Sequence, residues 1–299
     1  MKSLIFVLLI SVVLVISGCG PAGKGTNIGG VDMEFQVDRP PLGSIPDEQT
    51  FSVDFVLNNK LTREVSDVKL CIYDTAPESA GGIIGKPCQT VTLPPADKLD
   101  GKIVPSRVGL LYFPENGGKY AYTVGQQGVS DVTIHAELTY TANSIAVIKS
   151  ACFKKSSDIE TDFECESQEE FTGNDIDADP APIIVTRVEK NIYPEGTQNR
   201  LKLTLYLTKA EGEVIWNEDE TKNLMDIKIS SSDAQDFVCS PSENGLIKFD
   251  ENTEKIICDS EFSLSQDFYR DSIVIELYYK YRSKLSSGPI TIEKKRDGG

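Results

Sequence analysis

Histidine occurs once, at position 135, and tryptophan once, at 216, in a chain of 299 residues. A single histidine leaves one place for a Ser–His or Cys–His nucleophile pair. No two cysteines stand in CxxC spacing and there is one histidine, so a zinc site is not expected. No long segment shows the 3.6-residue period of an amphipathic helix. Basic residues are also short, 30 Lys and Arg against 46 Asp and Glu, for a net charge of −16. Such a surface is repelled by phosphates and argues against a nucleic-acid partner.

Long apolar runs are missing as well. The longest, Leu4 to Ile16, is 13 residues broken only by Ser11, behind Lys2. As a helix it reaches roughly 20 Å, short of the ~30 Å hydrocarbon core of a bilayer. A basic residue, an apolar stretch and small residues before a cysteine form an export signal in the expected order. Ile16-Ser17-Gly18-Cys19 resembles a lipobox position by position. That resemblance implies cleavage before Cys19, lipid on its thiol and a stable membrane anchor, since lipoprotein lipids carry more than one acyl chain. The mature protein is then extracytoplasmic and lipid-anchored, with the membrane as its first partner. Residues 1–18 form the signal peptide and 19–30, glycine-rich, a flexible tether. Loss of residues 1–18, whose only charged residue is Lys2, takes the charge from −16 to −17.

Seven cysteines are an odd number for an exported chain, but setting Cys19 aside leaves six. Fifteen pairings are possible. Pairing of sequence neighbours, Cys71 with Cys88, Cys152 with Cys165 and Cys239 with Cys258, is expected because each pair brackets one polar loop between two strand-like segments. Each such bridge contributes about 3 kcal/mol in the chain-entropy model.

Period-two alternation dominates what remains. Phe51, Val53, Phe55 and Leu57 alternate with Ser52, Asp54, Val56 and Asn58. Val132, Ile134, Ala136, Leu138 and Tyr140 alternate with polar residues in the same way. The second half repeats this with Leu201, Leu203, Leu205 and Leu207, then with Ile273, Ile275, Leu277, Tyr279 and Tyr281. The early runs lie 150 residues apart and the late runs 141 apart. A final strand is expected after each late run, near Ser144 to Phe153 and near Pro289 to Lys294. The chain therefore reads as all-β, with two copies of one module, 31–155 and 183–299, joined by an acidic linker over 156–182. Phe51 to Tyr73 (FSVDFVLNNKLTREVSDVKLCIY) looks like the adhesion-type, immunoglobulin-like domains of prokaryotic cell surfaces. The Asn of that pattern falls on Asn58 and its second strand on Val68-Lys69-Leu70. The resemblance implies tandem immunoglobulin-like antiparallel β-sandwiches and a binding or spacer role, and it transfers no functional residue.

Chemistry is sparse. The phase of its strand puts His135 on the polar face, as a surface residue. Gly81 to Lys86 has Ala80 and Pro87 where a phosphate loop needs Gly and Ser or Thr, so it reads as a flexible loop tip. Asp175, Asp177 and Asp179 alternate as calcium ligands do, but Pro180 and Thr186 break the loop pattern. They are weak calcium candidates, and no other cofactor is expected. Tyr278, Tyr279, Tyr281, Arg282 and Trp216 are residue types favoured at contacts, although each aromatic also suits a sandwich core. The reading is a non-catalytic surface lipoprotein that binds a protein or glycan partner or acts as a spacer. The alternatives are a solute-capture lipoprotein of a transporter and a hydrolase working with carboxylates alone.

Overall fold

Alternating β-branched, leucine and aromatic residues pair into sheets. The computed structural model describes residues 28–100, 102–123, 130–154, 165–195, 198–215, 223–232, 234, 236–249, 255–262 and 267–294. The chain is all-β, and its only helices among the described residues are single 3₁₀ turns. No helix among the described residues is long and apolar enough to cross a membrane. The main strands of the first half are β1 (Val31–Phe35), β2 (Val53–Asn59), β3 (Val65–Asp74), β4 (Cys88–Leu93), β5 (Ser106–Phe113) and β6 (Ile134–Lys154). The second half contributes β7 (Gln168–Thr172), β8 (Ile183–Glu195), β9 (Gln198–Lys209), β10 (Glu213–Ile215), β11 (Leu224–Ser230), β12 (Leu246–Lys248), β13 (Lys255–Phe262), β14 (Phe268–Ser286) and β15 (Ile290–Glu293).

The halves are joined edge to edge. β6 and β14 run antiparallel over eighteen residue pairs, from His135↔Ser286 to Lys154↔Phe268. One sheet therefore crosses the whole molecule, in the order β12-β11-β14-β6-β3-β4. Read outward from the central pair, each direction shows a long strand, then a strand from earlier in the same half, then a shorter strand. Tyr140 and Tyr281, 141 positions apart in the chain, are direct cross-strand partners. The backing sheets match too: β1-β2-β5 in one half and β8-β9-β13, extended by β7 and Val238–Ser240, in the other. Phe153 of β6 meets Phe262 of β13 edge-on at 6.3 Å, which packs the second layer onto the shared sheet in a sandwich-like arrangement. β15 then returns to the first half, where it lies between Ser130–Val132 and Gly43–Pro46. Ile290 and Ile292 are buried there, and one apolar cluster runs through both halves.

Several local expectations change. The break expected between Tyr140 and Ser144 is absent, and β6 is one strand of 21 residues. Its even-numbered residues from Ile134 to Ile148 form one continuous buried face, and Ser144 avoids the cost of a buried hydroxyl by bonding the Tyr279 hydroxyl at 2.8 Å. β2 is buried on both faces rather than one. Asp54, wholly buried, takes the Arg39 guanidinium at 2.6 Å, because the segment after β1 folds back over it. The asparagine that organises the following turn is Asn59, not Asn58. Its amide donates to the Arg63 and Pro94 carbonyls while its carbonyl accepts the Leu61 N–H. The stretch 156–182, expected as a solvated linker, carries β7 and a short strand, Ile176–Ala178, paired with β6.

Three disulfides close Cys71–Cys88, Cys152–Cys165 and Cys239–Cys258. The first joins β3 to β4 and the third joins Val238–Ser240 to β13, in both cases between directly paired residues.

Candidate binding cleft

At the middle of the shared sheet each half places a tyrosine hydroxyl against a glycine. The Tyr140 hydroxyl accepts the Val31 N–H at 3.0 Å, and a Cβ on Gly30 would lie 2.2 Å from that hydroxyl. The Tyr281 hydroxyl donates to the Ala210 carbonyl at 2.9 Å, and a Cβ on Gly212 would lie 2.5 Å from it. The neighbouring Tyr279 hydroxyl accepts the Ile183 N–H at 2.9 Å. Three tyrosines of the shared sheet thus hold β1, the start of β8 and the β9–β10 turn, and only glycine permits the closest approaches. Burial pushes the Tyr140 and Tyr279 phenols well above the ordinary tyrosine value.

Between these supports lies a cleft of about 720 Å³, lined by Gly30 to Glu34 of β1, the 210–213 turn and Tyr281 to Leu285 of β14. Its size falls within the ~300–1,000 Å³ usual for ligand sites. Met33, Tyr281 and the partly buried Leu285 form its apolar part. The Ser283 hydroxyl, also in the lining, is buried without a hydrogen-bond partner among the described residues. Four carboxylates stand around it. Asp32 pairs with Lys60. Glu213 bridges Arg282 at 2.8 Å and Lys284 at 2.9 Å. Burial opposes its ionisation, but Lys284 and Arg282 outweigh that and hold the carboxyl below its usual range. Glu34 and Glu211 are exposed and have no cation paired with them among the described residues.

The residues singled out in the sequence fall elsewhere or take structural parts. Tyr279 and Tyr281 are core, whereas Tyr278 lies on the outer face with Lys228 over its ring at 5.0 Å. Arg282 is held by Glu213. His135 is on the polar face, half-buried, stacked on Tyr73 at 5.0 Å with Nδ1 2.8 Å from the Ser286 hydroxyl. The nearby carboxylate, Glu137, is bound by Lys86 at 2.9 Å. The Gly81–Lys86 loop is pinned: Gly82 donates to the Ala121 carbonyl, and Asp74 accepts the Ile83 N–H and the Tyr122 hydroxyl. Asp175 caps its own turn by accepting the Thr172 N–H, Asp177 pairs with Lys149, and Asp179 is exposed. Among the described residues no group of three or more His, Cys, Asp or Glu side chains is placed to hold a metal. Cys19 and Trp216 lie outside the described residues.

Periodicity also missed Lys190, 1% exposed. Its ammonium reaches Glu169 at 2.6 Å and the Glu166 carbonyl at 3.1 Å, and also contacts the Cys152 carbonyl. Burial lowers its pKa, and Glu169 counters part of that. The pair ties β7 to the Cys152–Cys165 bridge. Glu169→Ala strands a buried cation and is expected to cost about 3–5 kcal/mol. Lys190→Met removes the charge with its burial penalty and costs well under half of that. Urea midpoints of the two variants check the order.

The chain matches no family model, no curated protein and no solved structure.

Proposed function

We propose that the protein is a non-catalytic binding or spacer module on the outer side of a membrane, held there by lipid on Cys19, and that its two halves are related to immunoglobulin-like sandwiches. The observation that carries this reading is the set of three disulfides, which form and persist in oxidising compartments. The lipobox supplies the address, and the large all-β surface supplies contact area for a protein or glycan. The solute-capture alternative fits less well, because such proteins close two lobes about a hinge and here a continuous strand pair joins the halves.

Mass spectrometry of protein extracted from membranes tests the anchor. The expected species begins at Cys19 and carries acyl chains, and Cys19→Ala releases the protein from the membrane. A chain that keeps Met1, or a Cys19→Ala variant that stays membrane-bound, contradicts it. Crosslinking on intact cells then identifies what the anchored protein contacts.

A further inference from the structure

The cleft beside β1 has the features of a strand-addition site. β1 pairs with β2 on one edge, and no described strand lies along the other. Lys60 donates to the Gly30 carbonyl and Gln36 to the Asp54 carbonyl, so the even-numbered residues of this segment face β2. Val31 turns the other way, to the Tyr140 hydroxyl. Ladder groups alternate sides along an antiparallel strand, which leaves the N–H and carbonyl of Met33 on the open edge, beside the cleft. β1 offers five residues, roughly 17 Å of edge. The walls differ by face: Met33, Tyr281 and Leu285 toward the interior, Glu34 and Glu211 at the rim.

We propose that this cleft takes an extended peptide segment of a partner protein, added along the open edge of β1, with apolar side chains facing Met33 and Leu285 and Lys or Arg on the alternate positions facing Glu34 and Glu211. Main-chain bonds to an edge supply affinity and alternate side chains supply selectivity in this mode of recognition. The inner positions of the segment lie beside the unpartnered Ser283 hydroxyl. The two rim carboxylates have no cation paired with them among the described residues, so charge favours a basic segment. A second copy of this chain is disfavoured by its net charge of −16. The proposal rests on the binding role proposed above but not on the anchor, and the two are tested by different readouts.

The probe is a short capped peptide alternating Val and Lys, compared with its Val and Glu twin by calorimetry on the full chain. The Lys peptide is expected to bind at least about tenfold tighter than the Glu peptide, with affinity falling as salt rises. Glu34→Gln with Glu211→Gln is expected to lower its affinity at least about fivefold. Met33→Pro removes the edge N–H at a position where an edge strand tolerates proline, and is expected to abolish binding while circular dichroism stays unchanged. Should Met33→Pro fail to fold, the glutamine pair decides. Equal binding of the two peptides, no binding of either at about 1 mM, or unchanged affinity in the glutamine pair overturns the proposal. So does self-association of the chain that the Lys peptide fails to displace.

Discussion

A chain ending at residue 155 will not yield a folded monomer. In the intact protein β6 has β14 along one edge for eighteen residue pairs, and β3 covers only its first six residues on the other. Removing the second half strips about as many ladder hydrogen bonds as there are pairs, at roughly 0.5–1.5 kcal/mol net each. That loss is comparable to the whole ~5–15 kcal/mol stability of a domain. β15 goes with it, uncovering Ile45 and Val132, both nearly inaccessible in the intact chain. The bared edge of β6 is long and unpaired, the arrangement that recruits another strand. Its most natural partner is a second copy, with Tyr140 meeting Tyr140 where Tyr281 stood. Size-exclusion chromatography with light scattering is expected to show dimers or insoluble material; a stable monomer with cooperative unfolding would refute the shared sheet.

The second large effect is on alkaline stability. The Tyr140 and Tyr279 phenols are fully buried and held protonated well above the ordinary value of 10. Once the pH passes 10, the unfolded chain releases these protons and the folded chain does not. Stability therefore falls with rising pH, by about 1.4 kcal/mol per pH unit for each tyrosine. Two such groups remove several kcal/mol within two pH units. Lys190 acts in the opposite sense: its lowered pKa makes its contribution rise with pH up to its ordinary value of 10.5, beyond which nothing further is gained. The net expectation is little change up to pH 9 and a steep decline above pH 10. The share of tyrosinate near-ultraviolet absorbance that belongs to these buried phenols should then appear in one step with loss of the far-ultraviolet circular dichroism. Replacing Tyr279 with Phe should flatten the decline, at the cost of leaving the Ile183 N–H and Ser144 hydroxyl without a partner. Ionisation of these phenols in a chain still folded would contradict the packing described.

The sequence made the strands legible and their partners much less so. Leu201, Leu203, Leu205 and Leu207 are all buried, because period two reports which face of a strand meets the core and needs no knowledge of the neighbour. The same period is silent on which strand lies alongside, so β14 pairing with β6, and β15 returning to the first half, were not visible. The recurring alternating runs that contain Tyr140 and Tyr281 were readable, but not that the two residues pair. Asp54 and Lys190 were missed for a related reason: a charged residue on an alternating strand reads as solvent-facing unless the segment folding over it is known. The cleft depends on β1, the 210–213 turn and the end of β14 meeting, and no local pattern foretells that. The disulfides were readable because each joins neighbours in sequence around a short loop.

Amide hydrogen exchange across β6 and β14 tests the shared sheet most directly. Residues 140–145 of β6 lie beyond the β3 pairing and are paired with 276–281 of β14. Ladder groups alternate sides, and the Ile134 carbonyl faces β14, so the shared ladder is carried by Tyr140, Ala142 and Ser144 with their partners Tyr281, Tyr279 and Leu277. The account predicts slow exchange at these amides, with protection lost together at the free energy of global unfolding. Fast exchange at Tyr140, Ala142 and Ser144 while the amides of 134–139 that face β3 stay protected would show that the halves do not share a sheet.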